Sequence, residues 1–576
     1  MENITDRYTI LEDQYIYGGA SRTDMWQARD NKTGKNVFFR IYIKKIHISD
    51  SLEGQKKLET LESSKSIENE INIYKKIRED LITKPLVNLR NFLCIIGDGT
   101  FSKKTLFEWL KKSIDISDSQ ANENLRRTIF YLIGLINSEI FPRIPISVIS
   151  KKNIINKEYE DFLDAVNRVG KIKDYYQLDN SKKYIFLNEE IEFGYMILPV
   201  IEDKVTLLEY MTQRLVHKES VFEDEKKKYI EKYIISIYPK KSKDEIKKDI
   251  EYLQSIGEES DFFNWLDGFH KFLQDKPHKK NNPMKISWNE YKDFLYDECI
   301  NTFFIVLISL YMLASIGINH NDIHLDNILL NWNYVGENKY HKTPYLLVIN
   351  KEILLVDMYF IPIIFDFDRG NSKTLDLYPI LYGKVGGICP SFHQKRDILR
   401  VLCSLYQILH GSFDKYRNLC DQILNELFLD KNLANEIRLS DDPLKHCNLR
   451  VRDGSDDSVL CWDKYLDSGL RSNEEIVNWF LEKTSFQKIR LSELIDVSEH
   501  QHKSFYWKKV ETFFRKFGKE IGFYDKKMDI VEEKNLIFTN IQFVSAGKNF
   551  EFWKENLDQT MNFVNLIYSI LKIKQK

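Results

Sequence analysis

The strongest constraint on the fold of this chain lies in its middle. There the apolar run Thr302–Ile318 leads directly into His320-Asn321-Asp322-Ile323-His324-Leu325-Asp326-Asn327. A second apolar run, Ile328-Leu329-Leu330, follows at once, and a third, Ile363-Ile364-Phe365, ends in Asp366-Phe367-Asp368. Polar groups bracketed in this way belong to a loop pinned between buried elements, and a pinned loop must satisfy its own hydrogen bonds. Thr302–Ile318 is barely long enough to span a bilayer and runs straight into histidine and aspartate. It reads as a fully buried core helix, not as a transmembrane one.

The bulk numbers exclude more than they assign. The chain has 576 residues, 43% hydrophobic and 30% charged, enough for a real core and for two to four domains or one domain with insertions. Its formal net charge of −2 gives no global pull toward nucleic acid or an anionic membrane. The 7 cysteines are scattered without a C-x-x-C pair and their number is odd. That implies a reducing, intracellular (cytoplasmic) compartment, with no zinc site and no disulfide framework. The acidic, polar start MENITDRYTILEDQ is neither a signal nor a transit peptide.

Along the chain, residues 8–45 read as strands with turns. Val37–Ile43 has strand propensity throughout, after a hairpin turn at Asn31–Lys35. Residues 51–80 read as charged and helical, with Ile67, Ile71, Tyr74 and Ile77 on one face. Asn91–Phe101 reads as a strand with a Gly97-Asp98-Gly99 turn, and strands return at Lys183–Leu187 and Gly194–Ile201. Two stretches, 103–183 and about 219–290, are lysine-rich and read as solvated insertions. From residue 292 the order is helix, polar loop, then strands to Asp368; after about residue 391 the pattern is helical to the end.

The central residues supply a definite chemistry. Moving a phosphoryl group from ATP requires a carboxylate to align and deprotonate the acceptor hydroxyl, and oxygen ligands for the divalent metal that screens the phosphates. Asp322 is the candidate base. Asn327 can offer an amide oxygen, and Asp366 a carboxylate from the end of a buried strand.

The segment resembles the catalytic loop of the protein-kinase-like superfamily, with Asp366-Phe367-Asp368 resembling its metal-binding Asp-Phe-Gly. His324 stands where protein kinases have a lysine; this form is similar to aminoglycoside and choline kinases and to the divergent kinases of large DNA viruses. The virus type fits the composition and insertions best. The resemblance implies a nucleotide-binding role for Gly18 and Gly19, although Ala20 and Thr23 occupy positions usually held by glycine. It implies a phosphate-binding cation at Arg40, where the family has a lysine, with Lys44 the alternative. It implies a partner for that cation at Glu70, with Glu68 the alternative, and adenine-binding backbone at Leu198 and Val200. Asp397 would brace the loop; a helix cap is the plain alternative. Asp368 replaces the family's glycine and could either bind metal or restrict loop movement. An excursion at about Trp332–Thr343 with extra strands must lengthen the chain between Asn327 and Asp366.

The implied architecture is α+β, a bilobal protein-kinase-like fold with large helical insertions and a helical C-terminal extension. Residues 1–211 would form the N-lobe, 212–410 the C-lobe, and 411–576 the helical remainder and extension. The implied activity is ATP- and Mg²⁺-dependent phosphorylation of protein Ser/Thr. The implied partner is a protein substrate or a scaffold partner, without direct nucleic-acid binding, in the host cytoplasm or virion if the protein is viral. Two other readings stay open: a pseudokinase acting as scaffold or structural virion protein, and a small-molecule kinase.

Overall fold

The computed structural model describes residues 4–11, 25–49, 56–59, 61–82, 89–113, 190–201, 205–215, 287–332, 343–349, 352–377, 392–410, 414–439, 467–490, 505–525, 527–544 and 557–572. The protein is α+β. It divides into two compact units: Met1–Glu79, Leu93–Ile201 and Asp366–Tyr382 form the first, and Asp80–Phe92, Glu202–Phe365 and Gly383–Lys576 the second. Residues 411–576 therefore belong with the second unit.

The first unit is built on a 6-stranded antiparallel sheet. Its strands are β1 (Tyr8–Ile10), β2 (Met25–Asp30), β3 (Asn36–Ser49), β4 (Lys56–Glu59), β5 (Gly97–Ser102) and β6 (Glu190–Pro199). The order is β1-β2-β3-β6-β5, with β4 on the far part of β3. β4 lies in a stretch read as helical from its charge; pairing with β3 overrides that local preference. β3 forms where strand propensity predicts it and is buried on both faces, by Val37, Phe39, Ile41 and Ile43 on one and Phe38 and Tyr42 on the other. A bulge between Ile43 and Lys45 then breaks the register.

Gly97-Asp98-Gly99 is strand, not turn. A Cβ at Gly99 would lie 2.6 Å from the Tyr195 hydroxyl, and one at Gly194 only 2.1 Å from the Tyr42 ring. These glycines make room for neighbouring tyrosines, a second use of glycine in strands. Phe39 anchors the packing, with Tyr8 at 4.7 Å and Trp109 at 5.3 Å between ring centroids. Helix α1 (Glu62–Ile77) buries Ile67, Ile71, Tyr74 and Ile77 as its spacing requires, but also Ser64, Asn69 and Glu70. Buried polar groups on a helix need partners: Ser64 donates to the Ile43 carbonyl of β3, and Glu70 finds its partner in the site below.

The second unit is organised by α2 (Trp288–Ser315), 28 residues long. A capping box between Ser287 and Glu290 starts it. Phe303–Leu310 is buried without interruption, the signature of a helix apolar on all sides within a core. The chain then passes through β7 (Ile318–Asn319) and the polar loop into β8 (Ile328–Trp332), which pairs with β11 (Phe360–Ile364).

Extra strands do lie between β8 and β11, but as β9 (Thr343–Ile349) and β10 (Glu352–Met358), after the expected Trp332–Thr343, of which 333–342 lie outside the described residues. These pair with each other and with two later strands, β12 (Gln487–Arg490) on β10 and β13 (Ile541–Val544), parallel, on β9. The C-terminal region is thus not purely helical: it completes a 4-stranded sheet seeded by the excursion. Phe513, Phe514 and Phe517 of the helix Phe505–Glu520, and Ile567 and Leu571 of the helix Leu557–Lys572, pack on Leu346, Val348, Ile353 and Phe543 in one core. Insertion and extension are two halves of one module, each burying the apolar face the other exposes. Cys403 is disulfide-bonded, which corrects the expectation of a chain without disulfides; Cys94, Cys299 and Cys420 are free.

Candidate active site

In the second unit, the loop after β7 is gripped by helix α3 (Arg396–His410). Asp397 Oδ2 accepts from the His320 N–H at 2.7 Å and from Asn319 Nδ2 at 3.2 Å, while Oδ1 accepts from the Asn321 N–H at 2.9 Å. A buried carboxylate receiving three donors is a strong brace, because each bond is charge-assisted. Arg396 Nη1 donates to Asn321 Oδ1 at 2.9 Å. Arg400 donates through Nη1 to the Asn321 carbonyl, and through Nη2 to Asp322 Oδ1 at 3.0 Å. Asn321 takes a left-handed backbone, φ 62°, with both of its oxygens held.

The remaining loop bonds also serve Asp322. Its N–H donates to His320 Nδ1 at 3.3 Å, so the ring carries its proton on Nε2 and donates to the Phe365 carbonyl at 2.7 Å. Asn327 Nδ2 donates to the Asp322 carbonyl at 2.9 Å. That carbonyl can only accept, so the amide orientation is fixed and Oδ1 is the atom left to meet a cation. The Asn327 carbonyl accepts from the Phe365 N–H at 3.2 Å, which ties the loop to the end of β11. His324 is half-buried, and burial lowers its pKa below the ordinary imidazole value, against the opposing pull of Asp322 and Asp326.

In the first unit, Arg40 on β3 and Glu70 on α1 form an ion pair, Nη1 to Oε2 at 2.7 Å, with the glutamate 2% exposed. Of the alternatives, Lys44 sits at the β3 bulge and its amine lies 3.9 Å from Glu192, so Arg40 is the strand residue that meets α1. Burial pushes Glu70 up to about 8; Asp366 and Asp368 add to the rise, and Arg40 and a hydrogen bond from Tyr74 oppose it. Tyr74 is the hinge pin of this corner. Its hydroxyl accepts from the Asp366 N–H at 3.1 Å, and its ring meets Phe367 edge-on at 5.4 Å. Ser66 Oγ donates to the Asp368 carbonyl at 2.7 Å. Asp366 itself has φ 67°, a strained setting for a non-glycine residue. The Ser66 bond uses the Asp368 main-chain carbonyl, which any residue offers, and assigns no role to its carboxylate.

The first unit thus brings together Arg40, Glu70, Asp366 and Asp368, and the second brings together Asp322, His324 and Asn327. Leu198 is buried near the end of β6, and Val200 follows the last paired residue, Pro199. Gly18 and Gly19 lie outside the described residues. No group of three or more His, Cys, Asp or Glu side chains among the described residues is arranged to hold a metal. The donor set nevertheless suits Mg²⁺ in its usual role beside a nucleotide, where one or two carboxylates suffice and phosphate and water complete the shell. Glu70 is pushed up first by burial, and the nearby charges of Asp366 and Asp368 add to the rise.

Sequence reading assigned a role to Asp397 but none to Arg396, Arg400, Tyr74 or Ser66. Two arginines at helical spacing beside Asp397, in an otherwise apolar helix, were the available signal for the first pair. No family model, curated protein or solved structure matches this chain.

Proposed function

We propose that this chain is a divergent protein-kinase-like phosphotransferase of the type found in large DNA viruses. In this reading the two units are the lobes of a bilobal kinase fold. The substrate is ATP, and the acceptor is a Ser or Thr hydroxyl of a protein. The observation that carries the reading is the bracing of Asp322: its amide, carbonyl and carboxylate each have a fixed partner in His320, Asn327 and Arg400. A carboxylate preorganised to this degree costs little further ordering at the moment of reaction.

In the transfer, the acceptor oxygen bonds to the γ-phosphorus while the bond to the β–γ bridging oxygen breaks and ADP departs with that electron pair. The hydroxyl proton passes to Asp322. Arg40, oriented by Glu70, contacts the α/β-phosphates in place of the usual lysine. Asn327 and Asp366 are the residues to hold Mg²⁺, which when bound screens the phosphate charge. The test is transfer of labelled γ-phosphate from ATP to the protein itself and to casein. Absence of transfer to both, or undiminished transfer by Asp322→Ala, would sink the proposal.

A second reading, a pseudokinase scaffold in cytoplasm or virion, is favoured by one observation. The family lysine is replaced by Arg40, whose forked guanidinium is already committed to Glu70. Thermal denaturation with ATP and Mg²⁺ separates the two readings, because a ligand that binds only the native state must raise its stability. No shift at saturating nucleotide favours the scaffold.

A further inference from the structure

The loop His320–Asn327 contains two aspartates and no lysine or arginine. Its fixed positive charges come instead from α3. Arg396 and Arg400 stand one helical turn apart and are 1% and 5% exposed. Burying a guanidinium is expensive unless it is paired, so two of them on one face demand an explanation. Arg396 Nη1 donates to the Asn321 side chain, and Asp397 braces the backbone N–H groups. Arg400 differs from both. It is the residue of α3 that reaches the Asp322 carboxylate, and it does so while anchored on the neighbouring Asn321 carbonyl. A planar fork bonded at two points fixes direction as well as charge, which a flexible ammonium does not.

We propose that Arg400 is a positioning residue of the transfer site: it sets the orientation of the Asp322 carboxylate through Oδ1 and supplies the fixed positive charge that the loop lacks. This rests on the phosphotransferase reading above. The bond is made to the carboxylate that takes the acceptor's proton, so the orientation it fixes acts on the chemical step. The nucleotide contacts assigned to Arg40 and Glu70 are made by other elements and do not depend on it. Loss of Arg400 should therefore lower kcat and leave the KM for ATP in place.

The test uses the full-length protein, labelled ATP with Mg²⁺, and casein as acceptor, comparing wild type with Arg400→Met and Arg400→Lys. For Arg400→Met, kcat should fall about 10²-fold with the ATP KM within about 2-fold of wild type, since small misplacement of a reacting group costs that much. Arg400→Lys should recover part of the rate and remain about 10-fold down, because the ammonium keeps the charge without the two-point geometry. If Arg400→Met does not fold, Arg400→Lys carries the test with the same expected split. An active wild type with either folded variant at unchanged kcat overturns the inference alone. So does a parallel loss of kcat and nucleotide affinity, the mark of a merely structural role. A wild type inert toward both ATP binding and transfer overturns the underlying reading and this inference together.

Discussion

The loop around Asp322 and the corner around Glu70 solve the problem of buried charge in opposite ways. At the loop, each carboxylate meets a matched donor set: Asp397 takes two backbone N–H groups and an amide, and Asp322 takes a guanidinium. At the corner, a buried glutamate faces one arginine and feels two aspartates, and its pKa rises to about 8. In the first region both carboxylates are met by held donors; in the second one buried carboxyl pairs with a single arginine and lies near two aspartates. In the proposed function the two regions have different tasks, one to hold a base and the other to meet a cation. That contrast teaches more than either region alone, because a buried ion pair and a rigid brace fail under different perturbations.

The largest break in the contrast should come from Asp397→Ala. It strips the acceptor from two buried N–H groups and the Asn319 amide at once. The expected cost is about 3–5 kcal/mol by chemical denaturation, with transfer falling in parallel. Asn327→Ala should be milder in stability, about 1–2 kcal/mol for one buried bond, yet lower transfer about 10²-fold or more, as the loss of both a brace and an oxygen ligand. Near-normal rates in that variant would show that the amide is structural only.

The corner is best probed by pH. Glu70 has a folded pKa of about 8, above its unfolded value of 4.5. Between these values the folded state binds more protons than the unfolded state. Stability therefore falls as pH rises across that window, and the contribution is gone above pH 8. The measurement is Tm against pH without metal; Glu70→Gln should flatten that slope. Added Mg²⁺ with nucleotide should flatten it too, because a cation near Asp366 and Asp368 offsets the field on Glu70. The smallest effect is expected for Arg40→Lys, which restores the residue type typical of the family: a change of under about 1 kcal/mol in stability and an ATP KM within about 5-fold of wild type. Loss of transfer in Arg40→Lys would mean that the fork, not the charge, is what this site uses.

The two regions also differ in how far they could be read from sequence. The loop was legible because its chemistry is local: His320 to Asn327 in fixed order, between apolar runs that become α2 and β8. Glu70 and Arg40 came from the resemblance, Glu70 with support from helical spacing, and the structure pairs the two. What escaped depends on non-local packing. Gly97 and Gly99 carry a turn signal, but both lie in a strand, and Gly99 admits the ring of Tyr195 across the sheet. β12 and β13 span only four residues each, inside a helical pattern, and exist because β9 and β10 offer edges to pair with. Tyr74 looked like one more apolar residue of α1, since nothing in its spacing reveals a hydroxyl bonded to Asp366 nearly three hundred residues on. Helix periodicity reports which face is buried and is silent about what waits there.

The central claim is that Asp322, rigidly held, is the base for phosphoryl transfer. It is tested most directly by measuring the transfer rate and the ADP–Mg²⁺ affinity side by side for wild type and Asp322→Ala. The account predicts a rate about 10³-fold lower at unchanged nucleotide affinity. A variant that transfers phosphate as fast as wild type would contradict it.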